Sequence, residues 1–260
     1  MQVDTGVPHI ARIYNYWLGG TDNFAADREA AELFIASYPD IRVGVRAQRE
    51  FLARAVTFLA YEVGIRQFLD IGTGLPSANN THEIAQRIAP DARVVYIDND
   101  PIVLTHARDL LTGSPAGTTA YLDADLRDTG AIAAAAARTL DFTKPVGIVL
   151  IGVMQCIPDS DDPGGVVSRL LDAVPSGRYL VLAHPTSDVQ PAQMSSGVSQ
   201  LNALLTQPVT LRTHEEISAL FDGTDLVLPG LVQLHRWRGV EADPAAELEL
   251  AAYAGIARKP

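Results

Sequence analysis

The sequence predicts an α/β fold built on a doubly wound, mostly parallel sheet. Three observations predict it: short uninterrupted apolar runs, helical patterns alternating with them, and cap-then-proline signals where helices begin. Strands buried on both faces lose the polar–apolar alternation of half-exposed strands. Continuous runs such as VGIVLIGV therefore point to parallel strands covered by helices on two sides.

Taken in order, residues 46–62 carry Phe51, Leu52, Ala55, Val56 and Leu59 at helical spacing, and Gly64 is placed to cap that helix in the left-handed conformation. Gln67–Ile71 is the first strand and runs into glycines. Residues 79–88 read as a helix, Arg93–Ile97 as the second strand, and Pro101–Leu111 as a helix with Asp100 as its N-cap and Pro101 at its first position. Ala120–Leu122 is a short third strand, Gly130–Leu140 an alanine-rich helix, and Val146–Val153 the fourth strand. Asp161-Asp162-Pro163 repeats the cap-then-proline signal for a helix reaching Ala173, and Arg178–Ala183 is the fifth strand. Thr213 and Glu216 have capping-box spacing. Leu226–Trp237 and Tyr253–Arg258 complete the sheet, one of them antiparallel to the rest. The expectation is seven strands, with residues 1–45 as an N-terminal helical extension and 46–260 as the sheet-bearing domain of one compact unit.

Composition narrows the function classes. Apolar residues make up 47% and charged residues 20% of 260, an ordinary globular balance with enough chain for a sizeable core. The formal net charge of −11 repels phosphate backbones, so neither nucleic acid nor an anionic membrane is the expected partner. Cys156 is the sole cysteine, which rules out an intramolecular disulfide and a Cys-based zinc cluster. No apolar stretch reaches the roughly 18–20 residues of a membrane span. The N-terminus lacks the basic start and apolar run of a signal peptide, and a cytoplasmic location is expected. No His, Cys, Asp or Glu residues show metal-ligand spacing, and nothing supports a Ser-His-Asp hydrolase.

The chemistry gathers at the strand ends. Phe68-Leu69-Asp70-Ile71-Gly72-Thr73-Gly74-Leu75-Pro76 carries the first strand into a turn whose glycines let a ligand approach bare backbone. The second strand ends in Tyr96-Ile97-Asp98-Asn99-Asp100, with Asp98 standing 26 residues after Gly72. A carboxylate there can hold both ribose hydroxyls of an adenosine. Asp123-Ala124-Asp125-Leu126 follows the third strand, where a carboxylate can accept from an adenine amino group while an apolar neighbour packs on the ring. Turns and solvated caps explain each motif singly; three in order at successive strand ends point to an adenosine site.

A dinucleotide fingerprint would place a third glycine where Ser77 stands. Pro76 also interrupts the turn and removes a backbone donor that a pyrophosphate would use. Asp70 would repel a pyrophosphate but suits an ammonium group. S-adenosylmethionine carries an ammonium and a sulfonium and no phosphate, so it fits better than NAD.

The stretches ARIYNYWLGGTDNFAADREA, FLDIGTGLP, ARVVYIDNDPIVL and DADLRD, with the later IPD and YLVLAH, resemble the class I S-adenosylmethionine-dependent methyltransferases. More closely, they resemble the actinobacterial S-adenosyl methyltransferase family long described as a domain of unknown function. The resemblance covers nearly the whole chain. It implies a Rossmann-like seven-stranded sheet with an antiparallel closing strand and an N-terminal helical lid, S-adenosyl-L-methionine as cofactor and S-adenosyl-L-homocysteine as product. Gly72 and Gly74 would let the backbone approach the methionine part, with Asp70 and Thr73 also on the cofactor. Asp98 would hold the ribose, Asn99 would lie beside the adenine, Asp125 and Leu126 would take its amino edge and face, and Gly152 would line the floor near the methyl group. The residues Val153-Met154-Gln155-Cys156-Ile157-Pro158-Asp159 lack the Asn-Pro-Pro-Tyr-like signature of enzymes that methylate the amino groups of bases and amides, which puts such an acceptor in doubt.

In this architecture the segment before the first helix folds over cofactor and acceptor. Tyr14, Tyr16 and Trp17 would then exclude water, Gly19-Gly20 would supply a hinge, and Asp22 or Asn23 would hydrogen-bond the ligand. His184, at the end of the fifth strand, is the candidate general base; His9, His82, His106, His214 and His235 have less favourable positions, and Cys156 reads as a buried small hydrophobe. Thr186–Pro208 and the N-terminal lid would shape the acceptor pocket, whose mixed small, polar and apolar residues suit a small molecule. The expected function is methyl transfer from S-adenosylmethionine to a small-molecule acceptor. A cofactor-binding sensor without turnover and an NAD-dependent oxidoreductase are the alternatives.

Overall fold

The structure is a computed structural model, and it describes residues 4–76, 78–100, 102–103, 114–174, 177–239 and 247–260. Ser77, Pro101, His106 and the rest of the helix expected over Pro101–Leu111, apart from Ile102 and Val103, lie outside them.

Two helices, α1 (Ile10–Trp17) and α2 (Ala25–Ser37), precede α3 (Ile41–Thr57), which ends in a π-helical turn, Phe58–Val63. Gly64 closes that turn at φ 84°, as its lack of a Cβ permits. The sheet and its helices follow as β1 (Gln67–Ile71), α4 (Thr81–Ile88), β2 (Arg93–Asp98), β3 (Thr118–Asp123), α5 (Thr129–Ala136), β4 (Gly147–Ile151), α6 (Pro163–Ala173), β5 (Tyr179–Pro185), α7 (Pro191–Asn202), α8 (His214–Ala219), β6 (Asp225–Leu226), β7 (Val232–Gln233) and β8 (Ala252–Arg258). The cap signals work as the sequence implies. Asp162 accepts from Gly165 N at 3.0 Å ahead of Pro163, and Thr213 and Glu216 form a capping box.

The strand order is β3-β2-β1-β4-β5-β8-β6, with β7 also paired to β8. β1 to β5 run parallel, and β8 is antiparallel to β5, β6 and β7. The sheet has eight strands rather than the expected seven. The single strand predicted over Leu226–Trp237 is broken by Pro229, which cannot donate to a ladder, and by Gly230, which turns at φ 94° and donates to Val227 O at 2.9 Å. Beyond the break the chain curls so that Trp237 is buried between Phe51 and Phe58, with ring centroids 5.7 and 5.8 Å away.

Alternate residues of each central strand feed two separate cores, as a period of two requires. Phe68, Val94, Tyr96, Val149, Val181 and Ala183 pack with α3, α4 and Trp237. Leu69, Ile71, Val95, Ile97, Ile148, Leu150, Leu180 and Leu182 pack with α5, α6 and α8. A third cluster joins α1, α2 and α7 through Ile13, Trp17, Phe34, Tyr38, Met194 and Leu201.

The order reverses between β1 and β4, where strands lead away in opposite directions. In an open α/β sheet that divergence leaves a crevice outside the carboxyl ends of the strands. The third cluster roofs it. Among the described residues, no helix is long and apolar enough to cross a membrane.

Candidate active site

A single cavity collects the ends of five parallel strands: Gly72, Thr73 and Gly74 after β1, Asp98 and Asn99 at β2, Ala124, Asp125 and Leu126 after β3, Gly152 and Val153 after β4, and Pro185 closing β5. The turn after β1 is fixed by Gly72 N, which donates to Ile97 O at 2.8 Å. Gly72 has φ 73° and Gly74 φ 63°, a region that costs a side-chain-bearing residue energy. A Cβ at Gly72 would stand 2.4 Å from Val153, whereas one at Gly74 would meet nothing within 4 Å. The first glycine is thus required by the protein's own packing, and the second leaves its backbone bare toward open space.

Asp98 is held by two backbone amides, Gly74 N to Oδ2 at 2.8 Å and Asp100 N to Oδ1 at 2.9 Å. Each carboxylate oxygen keeps a further acceptor site, so a pair of hydroxyls can still be bound. Burial raises its pKa, and the two amides oppose that rise. Asp70, on the α3–α4 face of β1, accepts from Thr81 Oγ1 at 2.6 Å. Burial pushes its carboxyl up to about 6, against the lowering effect of Thr81 and of Arg49.

Arg49 is a cavity residue that the sequence reasoning missed. Val45, Gln48, Arg49 and Leu52 all line the cavity from α3, and their spacing of three, four and seven is the signature of one helical face. Arg49 Nη2 donates to Ala78 O and Asn79 O at 3.1 and 2.9 Å, while its buried Nε finds no partner among the described residues. An unused cationic donor beside Asp70 makes the crevice zwitterionic at this end.

At the other end Asn99 is exposed at the rim and Leu126 buried. Asp125 is shared: Arg127 Nε and Nη2 bond it at 2.9 and 2.6 Å, and Arg127 Nη1 reaches Asp161 at 2.9 Å. Those bonds, outweighing burial, hold its pKa below the usual range. Gly152, at φ 71°, lies under Gln48; a Cβ there would stand 2.5 Å from Gln48 Nε2.

The N-terminal residues divide. Tyr14 and Trp17 line the cavity. Tyr16 does not; its hydroxyl donates to Glu32 at 2.6 Å on the outer surface. Asp22 is exposed and lines a smaller opening between Gly19-Gly20 and Thr73–Pro76. Asn23 is buried, but its Nδ2 is spent on Asn15 Oδ1 at 2.8 Å and Gly20 O at 2.9 Å. It pins the Gly19-Gly20 turn instead of facing a ligand.

His184 is not among the residues that line the cavity. Strand parity explains why: it follows Leu180 and Leu182 onto the α5–α6 face, while Ala183 takes the other. Its Nδ1 donates to Pro185 O at 2.7 Å, and Nε2 accepts from Arg212 Nη1 at 2.7 Å. Burial, with help from Arg212, lowers its pKa to about 4. The ring is neutral, with both nitrogens engaged, which leaves no lone pair for an acceptor's proton. Among the described residues, the histidine that reaches the cavity is His9 at the start of α1, with Nδ1 2.9 Å from Asp100 Oδ2. No local signal marks it, because its position depends on how α1 lies across the sheet. Cys156 lines the cavity as a protonated thiol, its pKa raised to about 12 by burial. No group of three or more His, Cys, Asp or Glu residues among those described could hold a metal ion.

A family model described as S-adenosyl methyltransferase matches residues 1–260. The chain is 44% identical to a DUF574 family protein from Streptomyces avermitilis, with 100% of both chains covered and a TM-score of 0.96. It is 39% identical to a protein from Thermobifida fusca over 98% of this chain and 96% of that one, at a TM-score of 0.89. The plantazolicin methyltransferase BpumL, solved with SAH, shares the fold at a TM-score of 0.51 and 12% identity, over 96% of this chain and 95% of that one. The search of curated proteins found no match.

Proposed function

This chain belongs to the S-adenosyl methyltransferase family, and from that premise we propose how its cavity divides the work of an S-adenosylmethionine-dependent methyltransferase. One observation carries the reading: carboxylates, bare glycine backbone and an unpaired arginine donor all converge at the switch point of the sheet. Their chemistry fits the cofactor piece by piece. Asp70 pairs with the ammonium and Arg49 with the carboxylate of the methionine part, while Gly72, Thr73 and Gly74 give it backbone to lie against. Asp98 accepts from the ribose hydroxyls, and Asn99, Leu126 and Asp125 frame the adenine.

The cofactor supplies a methyl group activated on a sulfonium. The protein's share is positioning and exclusion of water. Tyr14 and Trp17 cover the crevice from α1, so residues 1–45 act as a lid on the domain formed by 46–260. No protein base is assigned, since His184 is engaged elsewhere. The acceptor is a small molecule: α1, α2 and α7 roof the cavity, and the net charge of −11 disfavours nucleic acid. A cytoplasmic location accords with the single cysteine. The non-turnover sensor and the NAD-dependent oxidoreductase gain no support from the comparisons.

Titration calorimetry with S-adenosylmethionine, S-adenosylhomocysteine and NAD tests the map. Wild type should bind the first two and not NAD. Asp98→Ala should lose about 1.5–3 kcal/mol, roughly ten- to a hundredfold in Kd. Equal binding by the variant would remove Asp98 from the site.

A further inference from the structure

Beyond the strand ends the cavity continues into a chamber whose character differs from that of the crevice. Its walls come from Trp17, Phe34, Tyr38, Met194, Val198 and Leu201, contributed by α1, α2, the turn after α2, and α7. Among the described residues no Asp, Glu, Lys, Arg or His lines this part; the charged lining residues all sit at the crevice end. The polar tips of its aromatic rings are turned away into backbone. Tyr14 donates its hydroxyl to Val45 O at 3.2 Å, Trp17 Nε1 donates to Ala31 O at 3.3 Å, and the Tyr38 hydroxyl accepts from Ala251 N at 3.2 Å. These bonds hold the rings in place, so the side chains present mainly ring surface to whatever fills the chamber.

The uncharged polar residues Gln48, Gln155, Gln207 and Thr210 also line the cavity, and Gln155 keeps an atom unpartnered among the described residues. Its Nε2 donates to Gly152 O at 2.6 Å. That bond fixes the amide orientation, because the flipped form would set two carbonyl oxygens against each other. It leaves Oε1 buried with no partner among the described residues. A buried acceptor without a donor is unfavourable until a ligand satisfies it.

We propose that the methyl acceptor is an electrically neutral, mainly apolar ring compound that carries a hydroxyl or N–H donor directed at Gln155 Oε1. This deepens the reading of the cavity as a methyltransferase site and rests on it. Amino acids, nucleotides and phosphorylated metabolites are excluded as a class. A charge placed among these walls would be buried without a partner, which is far more costly than burying a ring. The ring itself gains contact with Trp17, Phe34 and Tyr38.

Two dyes that differ by a single sulfonate test the proposal. N-phenyl-1-naphthylamine is neutral, apolar and carries one N–H; 8-anilino-1-naphthalenesulfonate is the same skeleton with a fixed negative charge. Fluorescence titrations are run with wild type, Val198→Asp and Val198→Trp, each with and without saturating S-adenosylhomocysteine, whose own affinity is read by calorimetry. Val198 is only partly buried, so both variants should fold. The neutral dye should bind one per chain, at least about tenfold tighter than the sulfonate. Val198→Asp should weaken it by about tenfold or more through unpaired charge, and Val198→Trp by occlusion. Its binding should persist with S-adenosylhomocysteine present. Equal affinity for the two dyes, insensitivity to both substitutions, or displacement by S-adenosylhomocysteine would each overturn the proposal. Failure of wild type to bind S-adenosylhomocysteine would instead refute the cofactor map, and calorimetry reads that separately.

Discussion

The two glycines that flank Thr73 look interchangeable in sequence, yet they should fail in different ways when replaced by alanine. Both sit at positive φ, 73° and 63°, and either substitution incurs about 1–2 kcal/mol of left-handed strain. Gly72→Ala adds a second cost. Its Cβ would lie 2.4 Å from both Cβ and Cγ2 of Val153, a branched side chain that cannot swing its own Cβ aside, and such overpacking costs about 1–3 kcal/mol. The sum is about 2–5 kcal/mol, or roughly 4–20 °C in melting temperature for a chain of this size. Gly74→Ala meets no atom within 4 Å, so it should lose only the strain, roughly 2–8 °C. Its methyl group would instead occupy space toward the cavity, and S-adenosylhomocysteine should bind about tenfold weaker or worse. Scanning calorimetry and ligand titration on both variants decide the matter. Equal melting temperatures for the two variants, or unimpaired ligand binding by Gly74→Ala, would refute the division of labour between packing and ligand approach.

Other expectations follow from the buried polar groups. Because burial raises the Asp70 carboxyl to about 6 from an unfolded value of about 3.9, the folded state binds the extra proton between those values, and stability falls as pH rises through that window. Asp70→Asn should therefore be more stable than wild type in urea above about pH 6, no different below about pH 4, and weaker for S-adenosylhomocysteine by about tenfold. His184→Ala should lose about 2–4 kcal/mol with its ligand Kd unchanged. Since the His184 pKa is lowered to about 4 from an unfolded value of about 6.5, that loss should shrink as pH falls between the two; a specific loss of methyl transfer at full stability would restore it as a base. The Arg12–Asp27 ion pair, at 2.9 Å and with side chains 5% and 0% exposed, also accepts on Asp27 from His9 N and Phe24 N at 2.9 and 2.8 Å. Arg12→Ala leaves that carboxylate buried and unpaired, and urea unfolding should register about 3–5 kcal/mol.

The sequence was most legible where structure is local. Caps at Asp162 and Thr213, the left-handed Gly64, and the continuous apolar runs of β1, β2, β4 and β5 each follow from neighbours a few residues away. The carboxylates and glycines of the crevice were readable for the same reason, since each ends a recognisable strand. What could not be read depends on parity and on distant packing. A place at a strand end points His184 toward the crevice, but one residue decides which face of the sheet a side chain meets, and the odd-numbered neighbours Ala183 and Pro185 are the ones turned to the other side. The strand expected at Leu226–Trp237 had the right composition and the wrong interior, Pro229 and Gly230. His9, Arg49 and Gln155 gave no motif, because their role arises only once α1 and α3 lie over the sheet.

The contact between α2 and α7 bears on how this scaffold can change. A Cβ at Gly197 would lie 2.8 Å from the Phe34 ring, and Ser37 lies 3.4 Å from both Ser196 and Gln200. The two helices share one wall of the chamber although about 160 positions of chain separate them. A duplicated gene cannot acquire a new pocket by exchanging one loop: a side chain added at Gly197 collides with α2 unless Phe34 shrinks in step. Chimeras between homologues should keep their shape only when both segments come from the same parent, which makes the pair, and not either helix, the heritable unit of specificity.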